Sequence, residues 1–156
     1  MRAVRVFAAV YLAAVLGLTM WPELGHTQVD SWAHRVVDSL GRIGIHTSVS
    51  GLEAISNVLM FLPFGMLGLA ILVDSPRFRS LNTGLLGDAA KVTMAAAGLS
   101  ALIETTQLLI PGRVTSFDDL WRNTLGGLIG ALLAALYFHV RSPFRRYDGV
   151  PARTKR

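Results

Sequence analysis

The sequence predicts an all-α, polytopic membrane protein: a bundle of four transmembrane helices with an amphipathic interfacial helix after the first span. Three observations carry this. Of the 156 residues, 52% are hydrophobic and only 16% are charged, whereas a soluble domain carries about 25% charged residues. Four apolar runs, 6–21, 54–73, 92–110 and 120–140, approach or reach the length of roughly 17–25 residues that a membrane crossing needs. The lysines and arginines are distributed unevenly about those runs. Residues 1–140 read as a single integral membrane domain and 141–156 as a basic tail with little to bury. The net charge of +5 is read as orientation against anionic lipid rather than nucleic-acid binding, because no basic stripe with interleaved aromatics accompanies it. The absence of cysteine excludes disulfides, thiol nucleophiles and zinc-thiolate sites.

Met1, Arg2 and Arg5 precede the first apolar run, which Trp21 and Pro22 close. A basic start before an apolar run suits either a signal peptide or a first span. With no clean A-x-A site after it, a retained helix is the expectation. Within 22–53, Val29, Trp32, Ala33, Val36, Val37, Leu40 and Ile43 recur at helical spacing. Asp30, Ser31, His34, Arg35, Asp38, Ser39 and Arg42 fill the opposite face. That pattern predicts an amphipathic helix at the membrane surface, covering the bundle and ended by Gly41 and Gly44. Ser50-Gly51-Leu52-Glu53 resembles a capping box into the second span.

The second span contains Asn57 one turn in and Pro63 near its middle, where a kink is expected. Gly65 and Gly68 admit a neighbouring helix. Residues 74–91, with Pro76, Arg77, Arg79 and Lys91, read as a polar connection. The third span carries Glu104 and Gln107, and Pro111-Gly112 stops it. A short loop with Arg113, Asp118 and Asp119 follows, and the fourth span begins almost at once with Asn123 in its first turns. Gly126, Gly130 and Ala134 give that span a small-xxx-small face suited to close helix packing.

Eleven of the fifteen Lys and Arg residues fall on the side of the two termini; Arg35, Arg42, Arg113 and Arg122 fall on the other. The positive-inside rule then places both termini in the cytoplasm and leaves 22–53 and 111–119 extracytoplasmic, in the cell membrane. Glu104 lies about 10 Å below the outer end of its helix, and Asn57 and Asn123 about 5 Å deep, at 1.5 Å per residue. Three helices thus bring polar groups to comparable depth. A carboxylate within the membrane costs about 2.5–3.5 kcal/mol on insertion scales, so Glu104 needs a partner or a polar cavity and is the leading functional candidate. Gln107 shares its helix face, and Arg113 or Arg122 is placed to reach it. Asp119 and Asn123 stand at i, i+4, as do Asp118 and Arg122. Asn57 and Asn123 serve equally as interhelical ties, and Asp118 as a helix cap with Asp119 in the first turn. The histidine spacing offers no metal site, and no cofactor is expected.

Three segments together resemble the VanZ-like membrane protein family: N-V-L-M-F-L-P-F-G at 57–65, I-E-T-T-Q-L-L-I-P-G-R at 103–113 and D-D-L-W-R-N-T-L-G-G-L-I-G at 118–130. The family pattern runs N-x-x-x-F-x-P-x-G, E-x-x-Q-x-x-x-P-x-R and D-D-x-x-x-N-x-x-G. On it fall Asn57, Phe61, Pro63, Gly65, Glu104, Gln107, Pro111, Arg113, Asp118, Asp119, Asn123 and Gly126. Some relatives also carry D-K-x-x-H before the second span; here Asp30 and His34 keep the spacing, but Ser31 replaces the lysine.

The resemblance implies a cell-envelope membrane protein, since the family's named member is associated with low-level resistance to teicoplanin, a lipid-tailed glycopeptide. It implies no reaction. Two readings follow. In the first the protein is non-catalytic and acts at the outer leaflet on a lipid-anchored ligand, a cell-wall precursor or a lipoglycopeptide. Asn57, Gln107, Arg113, Asp118, Asp119 and Asn123 would then bind, with Arg113 holding a phosphate or carboxylate. In the alternative it is an intramembrane enzyme on a lipid-linked envelope substrate, with Glu104 as general acid or base. A proton-coupled transporter is disfavoured, because four short spans with one membrane carboxylate offer little for alternating access.

Overall fold

The computed structural model describes residues 2–20, 28–75, 84–110 and 116–141. Every regular element among them is an α-helix: α1 (Arg2–Met20), α2 (Gln28–Arg42), α3 (Val49–Asp74), α4 (Gly84–Gln107) and α5 (Phe117–Arg141). α1, α3, α4 and α5 are long and apolar enough to cross a membrane. The readings placed on Trp21, Pro22, Pro76, Arg77, Arg79, Pro111, Gly112 and Arg113 lie outside the described residues. So do those on the side chains of residues 28–31 and on the tail beyond Arg141.

α2 is amphipathic as expected, and it touches α3 alone among the described helices. Ala33 is buried, and Val36, Val37 and Leu40 are half-buried, while Trp32 and Ile43 stand exposed. The helix ends as its glycines predict. Gly44 adopts φ +84°, its N–H donates to the Gly41 carbonyl at 3.1 Å, and the Ile45 N–H donates to the Leu40 carbonyl at 2.9 Å. This is a Schellman closure, which needs a left-handed residue at the position of Gly44.

The start of α3 corrects one expectation. Ser48, not Ser50, is the N-cap, and its Oγ accepts from the Gly51 N–H at 3.1 Å. Ser50 lies inside the first turn with its hydroxyl 2.9 Å from that of Ser48. The position three residues after the cap is therefore glycine, so no reciprocal carboxylate bond closes a box. Pro63 sits inside a continuous α3, and lacking an N–H it leaves the Leu59 carbonyl without its helical donor. One residue along, the Tyr11 hydroxyl of α1 donates to the Met60 carbonyl. That bond ties α1 to α3 at the carbonyl next to the freed one.

α4 begins about two turns earlier than the apolar run suggests. Lys91 is helical rather than part of a connection, and its Nζ pairs with Asp88 at 2.9 Å. Leu85, Ala89 and Val92 extend the buried stripe back through these turns, and the charged pair is half-buried beside it, with Asp88 17% and Lys91 33% exposed. At the far end, Leu109 and Ile110 donate to the carbonyls of Thr106 and Gln107 at 3.0 Å each, a tightened final turn. Pro111 comes next in the chain, and a residue before proline is pushed out of the α region.

The strongest packing joins α3 to α5, followed by α4 to α5 and α3 to α4; α1 lies lightly against α3 and α4. Glycines set the α3–α5 distance. A Cβ on Gly65 would strike the Gly127 carbonyl, one on Gly126 the Val58 carbonyl, and one on Gly130 the Leu62 carbonyl. Apolar side chains gain nothing from leaving lipid, so close van der Waals fit is what holds such helices together. The core is accordingly small-residue rich: Leu69, Ala89, Val92, Ala131, Ala134 and Ala135 form one cluster, and Phe61, Ala96 and Ile103 a second.

Candidate functional site

Chain direction creates the site. α1 and α4 end where α3 and α5 begin, so the polar residues near those ends gather at one end of an apolar bundle. Ser116 starts α5: its Oγ accepts from the Asp118 N–H at 3.2 Å, and its carbonyl accepts from the Asp119 N–H at 3.0 Å. Ser116 is therefore the cap in place of Asp118, and both aspartates occupy the first turn, where carboxylates suit the helix dipole.

Each candidate then finds a specific neighbour. Asn57 of α3 donates through Nδ2 to Asp119 Oδ1 at 2.6 Å. Arg122 lies with Nη1 3.6 Å from Asp119 Oδ1 and Nη2 3.4 Å from Asp118 Oδ2. Asp118 is 64% exposed, against 34% for Asp119. Glu104 of α4 is half-buried and accepts from the Ser116 N–H through Oε2 at 3.2 Å. Gln107, one turn nearer the end, donates to the Thr19 carbonyl at 2.8 Å and ties α1 to the cluster. Asn123 is 4% exposed and donates through Nδ2 to Ser100 Oγ at 2.9 Å.

The Asp118–Arg122 pairing holds as the helical spacing predicts. Two other expectations change. Arg122 engages the two aspartates of its own first turn instead of reaching Glu104, because three- and four-residue spacing puts them within its reach. Asp119 and Asn123 do not serve one another: Asp119 meets α3 and Asn123 meets α4. α5 packs against both helices, and two groups one turn apart on it meet different neighbours. Arg113 lies outside the described residues.

A bundle of apolar helices closed at one end by Asn57, Glu104, Gln107, Asp118, Asp119 and Asn123 is what this chain presents, and the VanZ/LLP1 family model matches it over residues 7–138. The chain belongs to the VanZ/LLP1 family. Every residue of the cluster falls inside the matched stretch. No curated protein and no solved structure matches the chain.

In this VanZ/LLP1 chain the sequence pattern missed three members of the cluster. Ser100 stands four residues before Glu104 and so on its helix face, a spacing that could have revealed it. Ser116 carried a cap signal, a serine just ahead of an acidic first turn. The Thr19 carbonyl carried none, since any backbone group is available to a long-range partner. Among the described residues no three His, Cys, Asp or Glu side chains gather as a metal site would require. The arrangement offers hydrogen-bond acceptors on Glu104, Asp118 and Asp119 with one guanidinium between the aspartates, at the edge of an apolar, lipid-sized bundle.

Proposed function

We propose that this protein is a non-catalytic component of the cell envelope that acts at the outer leaflet on a lipid-anchored ligand, a cell-wall precursor or a lipoglycopeptide. The observation that carries the reading is the gathering of Asn57, Glu104, Asp119, Arg122 and Asn123 from three apolar helices at one bundle end. Polar groups on membrane helices are costly and mark sites. A ligand with a lipid tail can lie along the apolar flank while its head meets the cluster. The excess of Lys and Arg on the side of the termini supports an outward-facing cluster, and the family resemblance supports an envelope role.

Orientation is tested first. The chain has no cysteine, so an Asp118→Cys variant offers one thiol, which a membrane-impermeant maleimide should label in intact cells. Function is tested in a glycopeptide-sensitive host carrying wild type, Glu104→Gln or an empty vector at matched membrane levels. Protection against teicoplanin but not vancomycin, lost in Glu104→Gln, is the expected result. No protection from well-inserted wild type removes the lipoglycopeptide as ligand. If purified protein converts a lipid-linked precursor and Glu104→Gln abolishes turnover while binding persists, the chain is an enzyme and the non-catalytic reading fails.

A further inference from the structure

Below the carboxylates lies an unmet acceptor. Asn123 is 4% exposed and Ser100 is 0% exposed. Asn123 Nδ2 donates to Ser100 Oγ at 2.9 Å, while Asn123 Oδ1 is buried with no hydrogen-bond partner. As placed, the amide meets Ser100 through one N–H and leaves its oxygen unmet; turned over, it would meet Ser100 through the oxygen and leave both N–H groups unmet. Native proteins rarely leave such a group empty, because stripping it of water without a replacement bond is costly.

The position of this oxygen is informative. Asn123 stands one turn below Asp119 on α5, and Ser100 one turn below Glu104 on α4, about 6 Å by helical rise. The Asn123–Ser100 pair is thus the floor of the polar end, and the Asn57–Asp119 and Glu104–Ser116 bonds lie one turn nearer the surface. The floor is built of a neutral amide and a neutral hydroxyl, and no three His, Cys, Asp or Glu side chains cluster among the described residues. Its chemistry therefore suits a hydrogen-bond donor rather than a metal ion.

We infer that the Asn123 carbonyl oxygen is the innermost acceptor of this site and takes an N–H or O–H hydrogen from the head of a lipid ligand. This rests on the reading that the cluster receives a lipid-anchored molecule, and it adds the chemical class: heads that carry a donor are held, and heads that lack one are not. Glu104 and Asp119 accept further hydrogens from the same head as it descends.

The test uses purified full-length protein and native mass spectrometry with three probes: phosphatidylethanolamine, with ammonium donors; phosphatidylglycerol, with hydroxyl donors; and phosphatidylcholine, with neither. Wild type should retain the first or second over the third by about five- to tenfold, the worth of one buried hydrogen bond. Whichever is retained identifies the donor as ammonium or hydroxyl. Asn123→Leu, close to isosteric, should bring all three to parity. Asn123→Asp restores an acceptor oxygen and should restore the preference, which separates loss of the acceptor from loss of the fold. Elution volume and helical content confirm that each variant is intact. Wild-type retention of lipid without donor preference, or a preference that survives Asn123→Leu, overturns this inference and leaves the lipid-ligand reading standing. If wild type retains none of the three, and no lipid-linked precursor either, both fail.

Discussion

Replacing Gly130 by alanine adds one methyl group at the tightest seam of the bundle. Its Cβ would lie 3.0 Å from the carbonyl carbon of Leu62 and from the amide nitrogen of Met66, and closer still to the Leu62 oxygen. All three are backbone atoms in the middle of α3, so no side chain can swing aside and the two helices must part. Parting a packed surface by about 0.5–1 Å forfeits a quarter to a half of each facing contact, at about 0.1–0.2 kcal/mol per atom pair. For roughly 40 facing pairs, the number one buried leucine makes, the loss is about 2 kcal/mol, inside the range of about 1–3 kcal/mol for overpacked cores. Gly98→Ala is the control. A Cβ there meets nothing within 4 Å, and the gain in helix propensity is common to both variants. Reversible unfolding by SDS titration in mixed micelles should therefore show Gly130→Ala about 2 kcal/mol less stable than Gly98→Ala. A difference under about 0.5 kcal/mol would refute the claim that glycine sets the α3–α5 distance.

Other consequences can be measured in the same system. The charge-assisted Asn57–Asp119 bond at 2.6 Å should give a coupling of about 1 kcal/mol in the double-mutant cycle of Asn57→Ala and Asp119→Ala, and additivity would show the two residues to be independent. Asp118, exposed and 3.4 Å from Arg122, should lose less than about 0.5 kcal/mol as Asp118→Asn, because water screens the pair. Tyr11→Phe removes the hydroxyl donated to Met60 and should cost about 1 kcal/mol; unchanged stability would mean that the helical bond to that carbonyl suffices without it. Gly44→Ala forces alanine into φ +84° and should cost about 1 kcal/mol, read as faster amide exchange at the end of α2.

Much of the fold was legible from residue type and spacing, though the boundaries were not. The apolar runs located α1, α3, α4 and α5, and the period of Ala33, Val36, Val37 and Leu40 located α2. Lys91 misled, because a charge ends an apolar run without ending a helix when Asp88 stands three residues away to pair with it. Ser50 misled, because Ser48 offers the same cap chemistry two residues earlier and only the turn geometry selects between them. The motif residues of the site were legible as unusual guests in apolar helices. Their partners were not, because Asn57 meets Asp119 across 62 residues and Gln107 meets Thr19 across 88.

The sequence alone therefore determined that this chain is a membrane protein of the VanZ/LLP1 family, which residues are costly to bury, and which glycines face a neighbouring helix. Hydropathy, charge and size belong to each residue separately and can be read along the chain. The tertiary structure decided that α5 takes α3 on one side and α4 on the other, and so sent Asp119 to Asn57 and Asn123 to Ser100. It also left one amide oxygen of Asn123 buried and unmet. Those outcomes depend on the rotation of each helix about its axis and on the distance between axes. Both are set jointly by packing across the Gly65, Gly126 and Gly130 seam, and no single stretch of sequence contains that information.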